Sequence, residues 1–163
     1  NLVKVMSEIL VLLLCGDFVT GKSLLAACIA NALLEKGVPV LMTNFYKILN
    51  QMGSMYSDER FRYIASFNRF SLLIIDDLGI ERNTEYALEQ VYAVIDERYK
   101  TGLPLIITTN LTISQLRNPE DVAHARIYSR VLEMCTPVHV PGHDRRTTIG
   151  KSKQELVKEV LFS

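Results

Sequence analysis

Five short apolar runs punctuate the chain, at residues 9–15, 38–42, 72–75, 105–108 and 138–140. Hydrophobicity within each is nearly continuous rather than alternating, the pattern of strands covered on both faces, as in a parallel sheet. The segments between them carry helix signals. Residues 22–36 are rich in Ala and Leu and stop at Gly37, a residue suited to a C-terminal cap. Residues 84–100 place Tyr86, Val91, Ile95 and Tyr99 near helical spacing, with Gly102 just beyond. Thr112 with Gln115, and Ser152 with Glu155, have the form of capping boxes. Strand and helix in alternation predict an α/β fold of three layers. With no repeat, low-complexity tract or linker, residues 1–163 read as one domain. It ends in a helical tail over 147–163, with Leu156, Val157, Val160 and Leu161 on the apolar side.

Composition narrows this only slightly. A hydrophobic fraction of 48% and a charged fraction of 22% are those of a soluble globular chain, and 163 residues bury a core without disulfides or metal. Eighteen basic residues balance eighteen acidic ones, so nucleic-acid binding has to rest on a local patch or on a partner. Cys15, Cys28 and Cys135 show no metal-ligand spacing and read as reduced, buried small hydrophobes. The run at 9–15 is too short to cross a bilayer, which predicts a cytoplasmic protein with no membrane partner. Asn1 to Glu8 forms no self-contained element, so a longer N-terminal region is expected to have preceded it.

The chemistry enters at Gly16-Asp17-Phe18-Val19-Thr20-Gly21-Lys22-Ser23, which matches G-x-x-x-x-G-K-[ST] directly after a predicted strand and before a predicted helix. Glycines let backbone N–H groups turn inward around phosphate oxygens, and the helix beginning near Lys22 adds its positive end, with Leu24 following in its first turn. Lys22 is the expected phosphate contact and the Ser23 hydroxyl the expected Mg2+ ligand, with ATP as the nucleotide. Asp76 and Asp77 close the run at 72–75. Two carboxylates at the end of a buried strand reach the sheet edge, Asp76 to hold the metal and Asp77 to orient water. Asn110, after Thr108 and Thr109, ends a third strand where an amide senses the γ-phosphate. Its plainer reading is a polar turn. Arg126 and Arg130 lie four apart, on one helix face, and read either as surface charges or as an arginine finger for a neighbouring subunit. Arg145 and Arg146 read either as a phosphate sensor or as a solvated loop.

These motifs resemble the DnaC/IstB-like branch of the AAA+ superfamily. Segments 26–33, 73–79, 104–111 and 126–130 carry the likeness beyond the phosphate loop, across about residues 11–146. The resemblance implies a three-layer P-loop fold with a five-stranded parallel sheet, the sensor strand between the phosphate-loop strand and the Asp76-Asp77 strand, and little or no lid domain. It implies Asp76-Asp77 as the Walker B pair, Asn110 as sensor 1, Arg130 as the arginine finger, and Arg145 or Arg146 near sensor 2. It further implies the ATPase core of a replicative helicase loader, with a DnaB-type helicase and single-stranded DNA as partners and a homo-oligomer in the ATP state. The helicase-binding N-terminal region of such loaders is not expected within these 163 residues. An IstB-like transposition helper shares every one of these motifs.

One position departs from the family. Its loop normally has glycine where this chain has Val19, beside the bulky Phe18. A strained β-branched residue costs about 1–3 kcal/mol, which predicts ATP affinity weakened about ten- to a hundredfold. A non-hydrolysing binding module is the reading this favours, against the joint presence of Lys22, Ser23, Asp76, Asp77, Asn110 and Arg130. A small-molecule kinase fits less well, since no acceptor site or lid follows the loop. For DNA, Arg60, Arg62, Tyr63 and Arg69 interleave charge and aromatic rings. An amphipathic helix turning Phe61, Ile64 and Phe67 inward explains the same residues.

Overall fold

The apolar runs become strands β1 (Val11–Cys15), β2 (Val40–Asn44), β3 (Leu72–Leu78), β4 (Leu105–Thr109) and β5 (Thr136–His139) in a computed structural model of the protein, described over residues 8, 10–17, 21–79 and 83–141. All pair in parallel, in the order β2-β3-β4-β1-β5. Successive strand residues feed two separate cores. Leu13, Ile75 and Ile107 point to one face of the sheet, Leu14, Ile74 and Ile106 to the other. That two-sided burial explains why the runs show no polar alternation. The phosphate-loop strand β1 and the Asp76-Asp77 strand β3 flank β4 as expected, so three strand ends meet at one edge.

Helix α1 (Lys22–Glu35) lies on one face, where Ala26 and Ala30 allow close approach to the sheet. It carries no charged residue between Ser23 and Leu34, and Leu24, Leu25 and Leu34 remain exposed on its outer flank. Helices α2 (Phe45–Met52), α3 (Ser57–Ser66), α4 (Glu85–Thr101), α5 (Ile113–Arg117) and α6 (Val122–Met134) supply the other layer. Thr84 caps α4 through the Ala87 amide, Gly102 ends it at φ +65°, and the Thr112–Gln115 capping box opens α5. The box predicted at Ser152 and the tail over 147–163 lie outside the described residues.

Several expectations need correction. Phe61 is 73% exposed instead of turned inward. Tyr63, Ile64 and Phe67 define the buried stripe of α3 and its following 3-10 turn, and at about 100° per residue Phe61 falls on the opposite shoulder. Tyr86 and Tyr99 also lie outside the packed stripe of α4, which runs through Leu88, Val91, Ile95 and Arg98. Cys15 and Cys135 are buried, but Cys28 faces outward from α1. Finally, β3 continues past Ile75 to Leu78 through a bulge.

Arg98 was concealed by its charge. Only 1% exposed, it sits in the core with Nε and Nη2 donating to Pro104 O (3.1 and 2.9 Å), Nη1 to Phe67 O (3.2 Å) and Nη2 to Phe70 O (2.9 Å). Burial pushes its pKa down to about 10, so it stays charged at neutral pH. The fork joins the turn before β3 to the turn before β4, fixing where both strands begin.

Candidate nucleotide-binding site

The site assembles at the ends of β1, β3 and β4 and the start of α1. Gly16 (φ +156°) and Gly21 (φ +79°) occupy backbone conformations that favour glycine, and Gly21 brings the chain into α1. Among the described residues no side-chain hydrogen bond caps this helix and its first turn holds no acid, so its positive end is not offset from within the helix. Lys22 is 4% exposed, and its ammonium donates to Gly16 O at 3.0 Å and Asp17 O at 2.7 Å. Desolvation lowers its pKa, while Asp77, Asp17 and Asp76 pull it back up.

Ser23 Oγ donates to both carboxylate oxygens of Asp76, at 2.8 and 3.0 Å, bridging α1 and β3. The predicted metal pair is therefore together. A serine hydroxyl and a carboxylate are hard oxygen donors of the kind and number that Mg2+ takes from protein, leaving its other positions to phosphate and water, so the residues fit the ion. Among the described residues no cluster of three or more His, Cys, Asp or Glu could hold a metal unaided.

Asp77 stands beside this pair in left-handed backbone (φ +59°), the one such non-glycine among the described residues. Burial and then the Asp76 charge raise its pKa, with Lys22 opposing. A carboxylate held towards neutrality suits proton acceptance from water. Thr108 links the two aspartates, its hydroxyl donating to Asp76 Oδ1 and accepting from the Asp77 amide at 2.9 Å. Thr109, the next residue on β4, donates to Leu78 O (2.7 Å) and accepts from the Leu111 amide (3.1 Å). Sequence reasoning passed over both threonines as strand residues. Their signal was a pair of hydroxyls ending an otherwise apolar, fully buried strand.

Asn110 follows on β4 and lines a cavity of about 390 Å³ with Gly16, Asp17 and His139. Arg130 is elsewhere. It lies on α6, packed against α4, and shares no hydrogen bond or ion pair with the phosphate-loop residues among those described. Arg126 stacks over Tyr92 on the same helix pair, 4.4 Å from the ring centre. Phe18, Val19, Thr20, Arg145 and Arg146 lie outside the described residues.

Known proteins resemble the chain in sequence and in fold. The family model described as IstB-like ATP binding protein matches residues 5–153. The replicative helicase loader DnaI of Bacillus subtilis (strain 168) is 27% identical over 146 residues, covering 83% of this chain and 47% of its own length. The replicative helicase loader DnaC of Escherichia coli (strain K12) is 28% identical over 102 residues, 60% of this chain and 41% of that protein. The chain thus spans about half the length of the curated relatives it matches. A crystal structure of DnaI superimposes with a TM-score of 0.68 at 25% identity, over 88% of this chain and 82% of that one. Among the described residues no helix is long and apolar enough to cross a membrane.

Proposed function

We propose, for a chain that belongs to the IstB-like ATP-binding protein family, that it is the Mg2+-dependent ATPase core of a replicative helicase loader acting with single-stranded DNA. The observation carrying this is the Ser23–Asp76–Thr108–Asp77 chain, which joins the phosphate loop to the two carboxylates and to the strand bearing Asn110. Similarity to DnaI and DnaC supports the loader context, and a DnaB-type helicase is the proposed partner.

The chain's own groups have distinct tasks. Lys22 exchanges the carbonyls of Gly16 and Asp17 for phosphate oxygens, with the positive end of α1 favouring their charge. Ser23 and Asp76, now hydrogen-bonded to each other, would hold Mg2+, and the ion would supply charge neutralisation on the phosphates. Asp77 accepts a proton from the attacking water, and Asn110 orients that water from the neighbouring strand. Arg130 supplies transition-state charge to the site of a neighbouring copy, making the active form an oligomer. Arg145 or Arg146 serves as the sensor within the same chain.

For single-stranded DNA the surface of α3 is the supported candidate. Phe61 and Tyr56 (77%) are exposed, Arg60 stacks over Tyr86 at 5.5 Å, and Arg62 is outward with Asp58. Rings and cations side by side serve base stacking and phosphate contact together.

ATP turnover measured with and without single-stranded DNA tests the reading. DNA-stimulated hydrolysis that Lys22→Ala abolishes is the expected result. Hydrolysis indifferent to DNA in the presence of active protein sinks the loader assignment. The family's name favours a transposition helper as second reading, separable by whether a transposase or a replicative helicase alters the turnover.

A further inference from the structure

Two stripes face each other across α4 and α6, each with the spacing i, i+4, i+7. On α4 stand Tyr92, Asp96 and Tyr99; on α6, Arg126, Arg130 and Glu133. Arg126 lies over Tyr92, and Arg130 over Tyr99 at 4.1 Å. One terminal nitrogen of Arg130 approaches Asp96 Oδ1 (3.2 Å) and Tyr92 Oη (3.4 Å), and the other approaches Glu133 Oε2 (3.4 Å). Both ends of the guanidinium fork are therefore occupied by groups of the same chain.

The hold is loose. Charge-assisted N–H···O bonds run at about 2.7–2.9 Å, and a planar fork binds best to two oxygens of one anion. Here each contact is longer, and the carboxylates come from two residues on different helices. Asp96 Oδ1 is buried and accepts no hydrogen bond of good geometry, so its approach to Arg130 is one of charge alone. The other oxygen, Oδ2, is taken by Lys100 at 2.8 Å. Glu133 is shared as well, accepting from Tyr99 Oη at 2.7 Å.

We infer that Asp96, assisted by Glu133, parks Arg130 in the isolated subunit, so that the finger is released only when a neighbour presents a triphosphate that outcompetes the two carboxylates. Asp96 is thus a positioning residue that sets how readily subunits assemble on nucleotide. The inference rests on the reading of Arg130 as a finger acting between copies.

Self-association of the full chain, followed by sedimentation velocity with Mg2+ and a non-hydrolysable ATP analogue, tests both levels separately. Arg130→Ala raises the association midpoint if the finger reading is right. An unchanged midpoint, or no nucleotide-dependent association in any variant, ends that reading and this one with it. Asp96→Asn lowers the midpoint about two- to fivefold, the range expected from weakening one partly exposed ion pair. Asp96→Glu, which keeps the charge, returns it towards the parent value. Glu133→Gln, at a 54% exposed side chain where folding is not at stake, shifts it the same way by less. A midpoint raised or unmoved by Asp96→Asn and Glu133→Gln, with Arg130→Ala still impaired, overturns the parking while leaving the finger intact. A merely structural role of Asp96 weakens association and so moves the midpoint the wrong way.

Discussion

Asp77 answers two opposing demands. Burial and the adjacent Asp76 make the folded chain hold its proton to higher pH than the unfolded chain does. Between the two pKa values stability therefore falls as pH rises, and at neutral pH the ionised Asp77 works against folding. The same ionised oxygen is what proton acceptance requires. Asp77→Asn removes the charge and suits the left-handed backbone at φ +59°. It should raise the melting temperature while turnover drops about 10²- to 10⁴-fold. A lower melting temperature would contradict the argument. Thr108 is the complementary case. Thr108→Val strands the Asp77 amide and releases Asp76, costing about 1–3 kcal/mol in denaturant unfolding and about ten- to a hundredfold in turnover. Thr108→Ser restores both if the hydroxyl is the cause. Val19 carries the remaining residue-scale expectation: Val19→Gly should tighten ATP about ten- to a hundredfold by titration, and equal affinities would remove strain as the explanation.

Among elements, β1, β3 and β4 were legible because burial on both faces leaves few polar positions to mask them, and the caps because Thr84, Gly102 and Thr112 use local chemistry that needs no tertiary partner. What tertiary packing decides was not legible. Nothing in the sequence marks Arg98 as a core residue, because the carbonyls of Phe67, Phe70 and Pro104 that close around it come from other turns. Phe61 reads as core until the stripe of Tyr63, Ile64 and Phe67 fixes the rotation of α3. At the site, the loop, Ser23 and Asp76 were readable from fixed spacing, whereas the threonine links depend on strand register. Phe67 O and Pro104 O also accept from the Phe70 and Leu73 amides, so Arg98→Met takes a second donor from each and the side-chain donor from Phe70 O, and should destabilise the fold by about 1–3 kcal/mol in denaturant titration. Arg98→Lys cannot reproduce the fork and should recover only part of the loss. The opening of α6 gives a pH effect of known sign. Asp121 accepts from the backbone and ring of His124, which lowers its pKa. Its contribution is present above the ordinary aspartate range and fades as pH falls through the depressed value. Asp121→Asn should flatten the acid limb of the stability curve, and an unchanged limb would assign that fall to other carboxylates.

The molecule as a whole carries no net charge, so any grip on single-stranded DNA is local. If Arg60, Arg62 and Arg69 are the contacts, the logarithm of affinity should fall against the logarithm of salt concentration with a slope of about −2. A much steeper slope would point to a wider basic surface than α3 offers.

The uncharged outer flank of α1 bears on how the protein behaves in a tube. A chain with eighteen charges of each sign has little long-range repulsion near pH 7, and Leu24, Leu25 and Leu34 offer sticky surface on a helix whose exposed charge comes only at its end, with Glu35 and Lys36. Colloidal stability should therefore be poorest near neutrality and improve on either side. A single Leu34→Glu, at the helix end remote from the phosphate loop, should raise the concentration at which the protein precipitates.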